Sequence, residues 1–246
     1  MTAIGTAQLA VPAHESDADD LRARRLAMQF SSVGAADILR HAIISEFPGR
    51  IALVSSFGAE SAALLHLVAE IDPALPIIFL DTQKHFAQTL SYRKKLARDL
   101  GLTNIRDILP DAEEVALRDA DGDLWKQDAD ACCTLRKVAP LTGALDGFDA
   151  WITGRKQFHG GGRVNLPAFE ASGDHIKVNP LIRWGAHDVD DYVAAHALPP
   201  HPLVEQGYPS IGCWPCTHPA AAGDDIRAGR WRGAAKTECG IHTSAT

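Results

Sequence analysis

The sequence predicts an α/β fold, a doubly wound and mostly parallel sheet followed by a loop-rich C-terminal tail. Three observations carry this. Short, wholly apolar runs (Ile51–Val54 and Ile77–Leu80) alternate with helix-period segments. That is the pattern of βαβ units whose sheet is buried on both faces. The runs end in polar or glycine-containing sequence, at the edge where such sheets bind ligands. After Gly154 the alternation stops, and from His201 onward there is little apolar periodicity.

The elements follow in order. Residues 1–16, rich in Ala and Thr, read as a flexible leader. They lack a basic segment followed by an apolar core, so they are not a secretory signal. A helical pattern runs from Asp17 to Phe47 and breaks near Ser31–Gly34. Ile51–Val54 is the first strand, ending in Ser55-Ser56-Phe57-Gly58-Ala59-Glu60. Ser61–Ile71 is helical, Ile77–Leu80 is the second strand, and Asp81-Thr82 follows it. Phe86–Leu100 is a helix stopped by Gly101, a natural C-terminal signal. Ile105–Leu109 is a third strand, and Ala112–Asp119 is helical. Thr134–Leu145 is helical too, with a break or kink expected at Pro140. Trp151–Thr153 is the fourth strand. Segments Leu166–Glu170 and His175–Asn179 flank Ala171–Asp174 as a hairpin, and His187–His196 is the last helix. The sequence thus divides into the leader, an α/β domain over 17–219 and a mobile, loop-rich tail over 220–246.

The chain has 246 residues, 46% hydrophobic and 22% charged, which excludes a mainly disordered protein. A net charge of −7 argues against a nucleic-acid coat or a polybasic membrane binder. No apolar run approaches the roughly 20 residues that span a bilayer. Five cysteines cannot all pair internally. The expectation is a cytoplasmic protein whose clustered cysteines serve metal or redox chemistry. A homo-oligomer is compatible with the sequence.

Cys132 and Cys133 are adjacent, and Cys213-Trp-Pro-Cys216 is a C-x-x-C pair. Pairs so far apart meet only through the fold. Four thiolates then suit Zn²⁺ or an iron–sulfur cluster. A single tetrahedral ion strains neighbouring cysteines, whereas separate irons can each take one, so the adjacency favours a cluster over zinc and over plain thiols. Lys137, four residues after Cys133, shares its helix face and can offset thiolate charge.

The fifth cysteine, Cys239, lies in Lys236-Thr-Glu-Cys-Gly-Ile-His242. Arg227, Arg230, Arg232, Lys236 and His242 surround it in sequence. Cations lower a thiol's pKa and make it a nucleophile. Guanidinium groups also match phosphate and sulfate oxygens. Ser55–Glu60 sits between a strand and a helix, where backbone N–H groups face a bound anion. It is neither a Walker A loop nor a G-x-G-x-x-G turn. Ser55, Ser56, Phe57 and Gly58, with Asp81 and Thr82 on the same sheet edge, are candidate substrate contacts.

Together these pieces resemble the thiol-dependent adenylyl-sulfate and phosphoadenylyl-sulfate reductases, of the adenine nucleotide α-hydrolase-like group. The matching segments are SSFGAE, LDT at Leu80–Thr82, CCTLRKVAPL from Cys132, LPAFE from Leu166, NPL from Asn179, GYPSIGCWPCTHP from Gly207, and GRW with ECGIH near the end. The resemblance implies that Cys239 attacks the sulfur of adenosine 5′-phosphosulfate, displaces AMP and becomes an S-sulfocysteine. Reduced thioredoxin then releases sulfite. It implies that Lys137, Arg163, Arg227, Arg230 and His242 contact the substrate. It implies a [4Fe-4S] cluster on Cys132, Cys133, Cys213 and Cys216, a feature that accompanies preference for the substrate without a 3′-phosphate.

Two segments depart from the usual family form, LDTQKHFAQT and the Arg155–Arg163 loop, RKQFHGGGR. Rival readings are a phosphoadenylyl-sulfate reductase, a zinc-containing ATP pyrophosphatase, and a non-enzymatic Cys₄ interaction module. The second should carry an SGGxDS-type loop, and SSFGAE lacks its paired glycines. The third predicts no adenylate affinity.

Overall fold

A computed structural model describes residues 14–221, 223–232 and 236–242. Most of the expected leader lies outside these residues, but helix α1, His14–Gln29, begins within its last three positions. Helix α2, Ala35–Arg40, continues into a π-helical turn over His41–Glu46. Strand β1, Ile51–Val54, leads to α3, Ser61–Ala69. Strand β2, Ile77–Leu80, leads to α4, Ala87–Asp99, and β3, Ile105–Ile108, to α5, Ala112–Arg118. Then come α6, Leu124–Gln127; α7, Ala129–Cys133; a π-helical turn, Thr134–Val138; and α8, Ala139–Ala144. Strands β4, Ala150–Ile152, β5, Phe169–Ser172, and β6, His175–Val178, complete the sheet, and α9 spans Ala186–Ala195.

The sheet has the order β3-β2-β1-β4-β6-β5. Only β5 runs antiparallel to its neighbour, as a hairpin requires. The strands alternate their faces, as pleating dictates. Ile51, Leu53, Ile77, Phe79 and Ile152 join the large core with α1–α4 and α9. Ala52, Ile78, Leu80 and Trp151 face the opposite side, against Leu141 of α8 and Leu145 at its C-cap. Both faces are therefore covered, and β1 and β4 adjoin at the point where the strand order reverses, the crevice that binds ligands in such sheets.

Two local expectations are corrected. The helix expected from Thr134 starts at Ala129, capped by Asp128, whose side chain accepts from the Asp130 and Ala131 N–H groups. Both adjacent cysteines are therefore helical. Pro140 does not break it, because the π-helical turn ahead loosens the hydrogen-bond ladder and Pro140 sits in the first turn of α8. In the hairpin, Ala171 and Ser172 pair with Ile176 and His175, so the turn narrows to Gly173-Asp174. Gly173 takes φ +59, a left-handed value that favours glycine.

Candidate active site

The loops at the carboxyl ends of β1, β2 and β4 meet the tail around a cavity of about 210 Å³. The β1 loop supplies Ser55, Ser56, Gly58 and Glu60, and Ser61 opens α3 beside them. Unpaired N–H groups and the helix dipole favour an anion at such a helix start. The tail supplies Arg227, Arg230, Cys239 and His242, the loop after β4 supplies Arg163, and the π-helical turn supplies Lys137. The fold thus gathers most of the expected site residues.

Three expected contacts lie elsewhere. The Phe57 side chain is buried in the core, edge-on to Phe79 at 5.7 Å between ring centroids. Asp81 turns back to accept the Gln83 N–H at 2.9 Å. Thr82 is buried with its Oγ1 3.2 Å from Cys213 Sγ, so it faces the thiols rather than the large cavity. Phe57 and Gln83 nonetheless have φ of +49 and +60, left-handed values that cost non-glycine residues energy and cluster at functional loops.

Cys239 Sγ lies 3.8 Å from Lys137 Nζ. A hydrogen bond with Cys133 holds the Cys239 thiol well below its usual range; burial opposes this, and Lys137, the Ile241 N–H and Arg230 add to it. Burial pulls Lys137 down, but Cys213, Cys239 and Cys133 outweigh it and push the ammonium up. The pair is a buried thiol shifted toward its thiolate, facing an ammonium. Arg230 lies against the C-x-x-C loop: a Cβ at Gly212 would fall 2.3 Å from its Nη2, so a side chain there would displace the guanidinium.

His242 enters the cavity as a neutral ring, not as the cation expected. Burial first, then Arg155, Arg163, Lys177 and Arg227, hold its pKa well below the usual range. It stacks on Trp151, 6.0 Å between centroids and 7° from parallel, and its buried Nδ1 has no partner. Arg232 bonds the Pro219 carbonyl at 3.0 Å, and Lys236 pairs with Asp130; neither lines the cavity.

Several cavity residues were not foreseen. Glu238 chelates Arg163, at 2.6 Å to Nε and 2.8 Å to Nη2. Glu60 bonds Lys156 Nζ at 3.1 Å and His159 Nε2 at 2.9 Å; burial opposes, but these two hold its carboxyl down at about 2. Arg155 pairs with Glu170 and donates to Asn179 Oδ1 at 3.1 Å. The LPAFE and NPL segments therefore act through Arg155, anchoring the loop that departs from the family form.

Cys132, Cys133, Cys213 and Cys216 all line a second, small cavity behind Lys137, together with Thr82 and Arg230. Trp214 N–H donates to the Lys84 carbonyl at 2.8 Å and Trp231 N–H to the Cys216 carbonyl at 3.1 Å, so the C-x-x-C turn is tied to both the β2 loop and the tail. Lys84 itself donates to the Gly122 carbonyl at 2.6 Å. Burial, then Cys213, push the Cys132 thiol up to about 11, and the same two causes raise Cys216. Among the described residues no three His, Cys, Asp or Glu side chains are drawn together tightly enough to hold a metal ion. The donor set itself fits one: four soft thiols on one cavity, with Lys137 and Arg230 beside them to balance thiolate charge.

Residues 50–219 match the phosphoadenosine phosphosulfate reductase domain family. The chain belongs to that family. A relative from Mesorhizobium japonicum named adenosine 5′-phosphosulfate reductase is 50% identical over 234 residues, 94% of this chain and 92% of that protein. One of the same name from Chelativorans is 50% identical over 210 residues, 85% of this chain and 86% of that protein. The crystal structure of phosphoadenylyl-sulfate reductase from Candida auris, a phosphate complex, superposes with a TM-score of 0.66 at 28% identity, covering 86% of this chain and all of that one. An FMN adenylyltransferase from Candida glabrata, with a TM-score of 0.53 at 16% identity over 86% of this chain and 70% of that one, shares the fold alone. Membership makes this family's chain an oxidoreductase, which sets aside the non-enzymatic module. Among the described residues no helix is long and apolar enough to cross a membrane.

Proposed function

We propose that the chain reduces adenosine 5′-phosphosulfate to sulfite and AMP in the cytoplasm, with Cys239 as nucleophile and reduced thioredoxin as thiol donor. The observation that carries this reading is Cys239 set against Lys137, 3.8 Å apart, inside an arginine-lined cavity at the sheet's switch point. The two curated relatives named above bear the name of that reaction.

The chemistry balances with these residues. The Cys239 thiolate attacks the sulfur of the sulfo group. The S–S bond forms as the bond from sulfur to the phosphate oxygen breaks, and AMP leaves with that electron pair. A thioredoxin thiolate then attacks Cys239 Sγ, and sulfite leaves with the electrons of the S–S bond. A second thioredoxin thiol closes a disulfide and returns Cys239 as thiolate. The two electrons come from the two thiols. Attack by one anion on another needs cations on both, and Lys137, Arg163, Arg227 and Arg230 supply them. His242, neutral, holds the tail on Trp151. For thioredoxin to reach Cys239 the tail from residue 220 must move outward, as many active-site loops do.

Cys132, Cys133, Cys213 and Cys216 would hold a [4Fe-4S] cluster, whose contribution when bound is a fixed electrostatic and structural support beside Lys137. Adjacent residues on α7 point about 100° apart around the helix axis, which suits two irons better than one zinc. With Cys133 so engaged its hydrogen bond to Cys239 is lost, and Lys137, the Ile241 N–H and Arg230 are the groups left to lower that thiol's pKa. Protein prepared without oxygen is expected to be brown and to contain roughly four iron and four sulfide per chain. Colourless protein loaded with zinc would overturn the cluster.

The substrate is tested by comparing kcat/KM for adenosine 5′-phosphosulfate and its 3′-phosphorylated form. A higher value for the first is expected. Preference for the second would make the chain a phosphoadenylyl-sulfate reductase.

A further inference from the structure

Glu238 immediately precedes the proposed nucleophile. Its carboxylate takes Arg163 in a two-bond fork, at 2.6 and 2.8 Å, approaches Arg227 Nη2 at 3.4 Å, and accepts the Cys239 N–H at 2.8 Å. Arg163 and Arg227 come from separate loops and both line the large cavity. Their guanidinium groups repel one another: burial, then Arg163, pull Arg227 down to about 10, so the pair calls for an anion between them. A planar carboxylate fits the guanidinium fork, and so does the oxygen face of a sulfo or phosphate group. The tail brings its own anion to the place where an anionic substrate needs its cations.

We propose that Glu238 is a positioning residue that acts as an internal anion, occupying Arg163 and Arg227 until the sulfo group of the substrate takes them, and so coupling release of this tether on the Cys239 loop to substrate binding. This rests on the proposed reaction. Two anions cannot both satisfy the same pair of forks, so substrate affinity is reduced by the fraction of protein in which Glu238 is seated. Once Glu238 yields, the loop keeps other anchors. His242 stays stacked on Trp151, Lys137 still faces Cys239, and Ile241 packs on the apolar cluster around Trp151. A side chain at Gly240 would press on Val138 Cγ2 at 3.0 Å, which shows how closely the loop is seated there.

Glu238→Gln tests the exchange, because it removes the charge and keeps an oxygen for the Cys239 N–H. Two quantities report the same seated-to-released equilibrium. One is the Kd of adenosine 5′-phosphosulfate in a Cys239→Ser background, where no turnover intervenes. The other is the rate of iodoacetamide alkylation at Cys239, read by peptide mass in anaerobic, ligand-free protein. Glu238→Gln is expected to tighten the first and speed the second by a similar factor, roughly tenfold, the scale of one lost charge-assisted pair. Glu238→Asp keeps the charge but draws it back by one methylene, and should give a smaller change of the same sign in both.

Tighter binding with unchanged alkylation would be charge acting at a distance and would overturn the exchange. So would weaker binding in Glu238→Gln. If the Cys239→Ser protein has no affinity for adenosine 5′-phosphosulfate at all, the proposed reaction itself falls. A change in alkylation alone would then show Glu238 seating the loop with no substrate to displace it, which also overturns the coupling.

Discussion

Cys239→Ser is expected to lower sulfite formation on the order of 10⁴-fold or more, the scale on which removal of a covalent nucleophile acts. The cause is the chemistry of the side chain more than its size. Serine fills the same space between Lys137 and the tail arginines, but its hydroxyl stays protonated where the Cys239 thiol is held well below its usual range. Even a sulfated serine would be a dead end. It has no S–S bond for a second thiol to attack, so sulfite could not leave. The variant should still bind adenosine 5′-phosphosulfate and AMP, because Arg163, Arg227, Arg230 and the Ser55–Gly58 loop are untouched. The proposed cluster should be unaffected, since Cys239 lies outside the set of four thiols on the second cavity. Turnover is checked by sulfite release with reduced thioredoxin. Retained turnover would assign the nucleophile elsewhere.

Much of this fold is legible in the sequence because its strands are buried on both faces. Ile51–Val54 and Ile77–Leu80 are too short and too uniformly apolar to be surface helices, and both form strands with those same bounds. The cysteine-bearing helix was less legible. Its start depends on one capping residue, Asp128, and its passage through Pro140 depends on a π-helical turn that leaves no compositional mark. The site divides similarly. Cysteines, and arginines spaced by glycine and tryptophan, announce chemistry by their type. A carboxylate does not, since most are solvated. Glu60 and Glu238 gain meaning only from partners brought by the fold, Lys156 and His159 for one and Arg163 and Arg227 for the other. Both did carry a signal, for each closes or opens a motif already in view, SSFGAE and ECGIH. His242 was misread as a cation because its charge depends on Arg155, Arg163, Lys177 and Arg227 converging around it.

Lys137→Met should lower kcat/KM by roughly 10² to 10³-fold, the range found when one preorganised donor to a developing charge is removed. Methionine matches the lysine stem in length and apolar character, so packing in the π-helical turn is largely kept and the charge alone is lost. Lys137 lines both cavities and lies 3.8 Å from Cys239 Sγ, so a single substitution acts in two ways. In the proposed reaction it removes a cation that offsets the meeting of thiolate and sulfo group. It also leaves a buried thiolate with a weaker counter-charge, which raises the Cys239 pKa, since a cation beside an acidic group favours its ionised form. The sign of the pH effect follows. In the wild type the thiol's pKa is held well below its usual range, so the alkylation rate at Cys239 should change little across the window in which an ordinary thiol ionises. In Lys137→Met the ionised fraction should climb through that window, giving a rate that rises with pH toward a plateau. Lys137→Arg should restore part of the activity and the flat profile, since it returns the charge in a bulkier, planar form. A flat profile in Lys137→Met, with kcat/KM near that of the wild type, would show that the tail arginines hold the thiolate without the lysine.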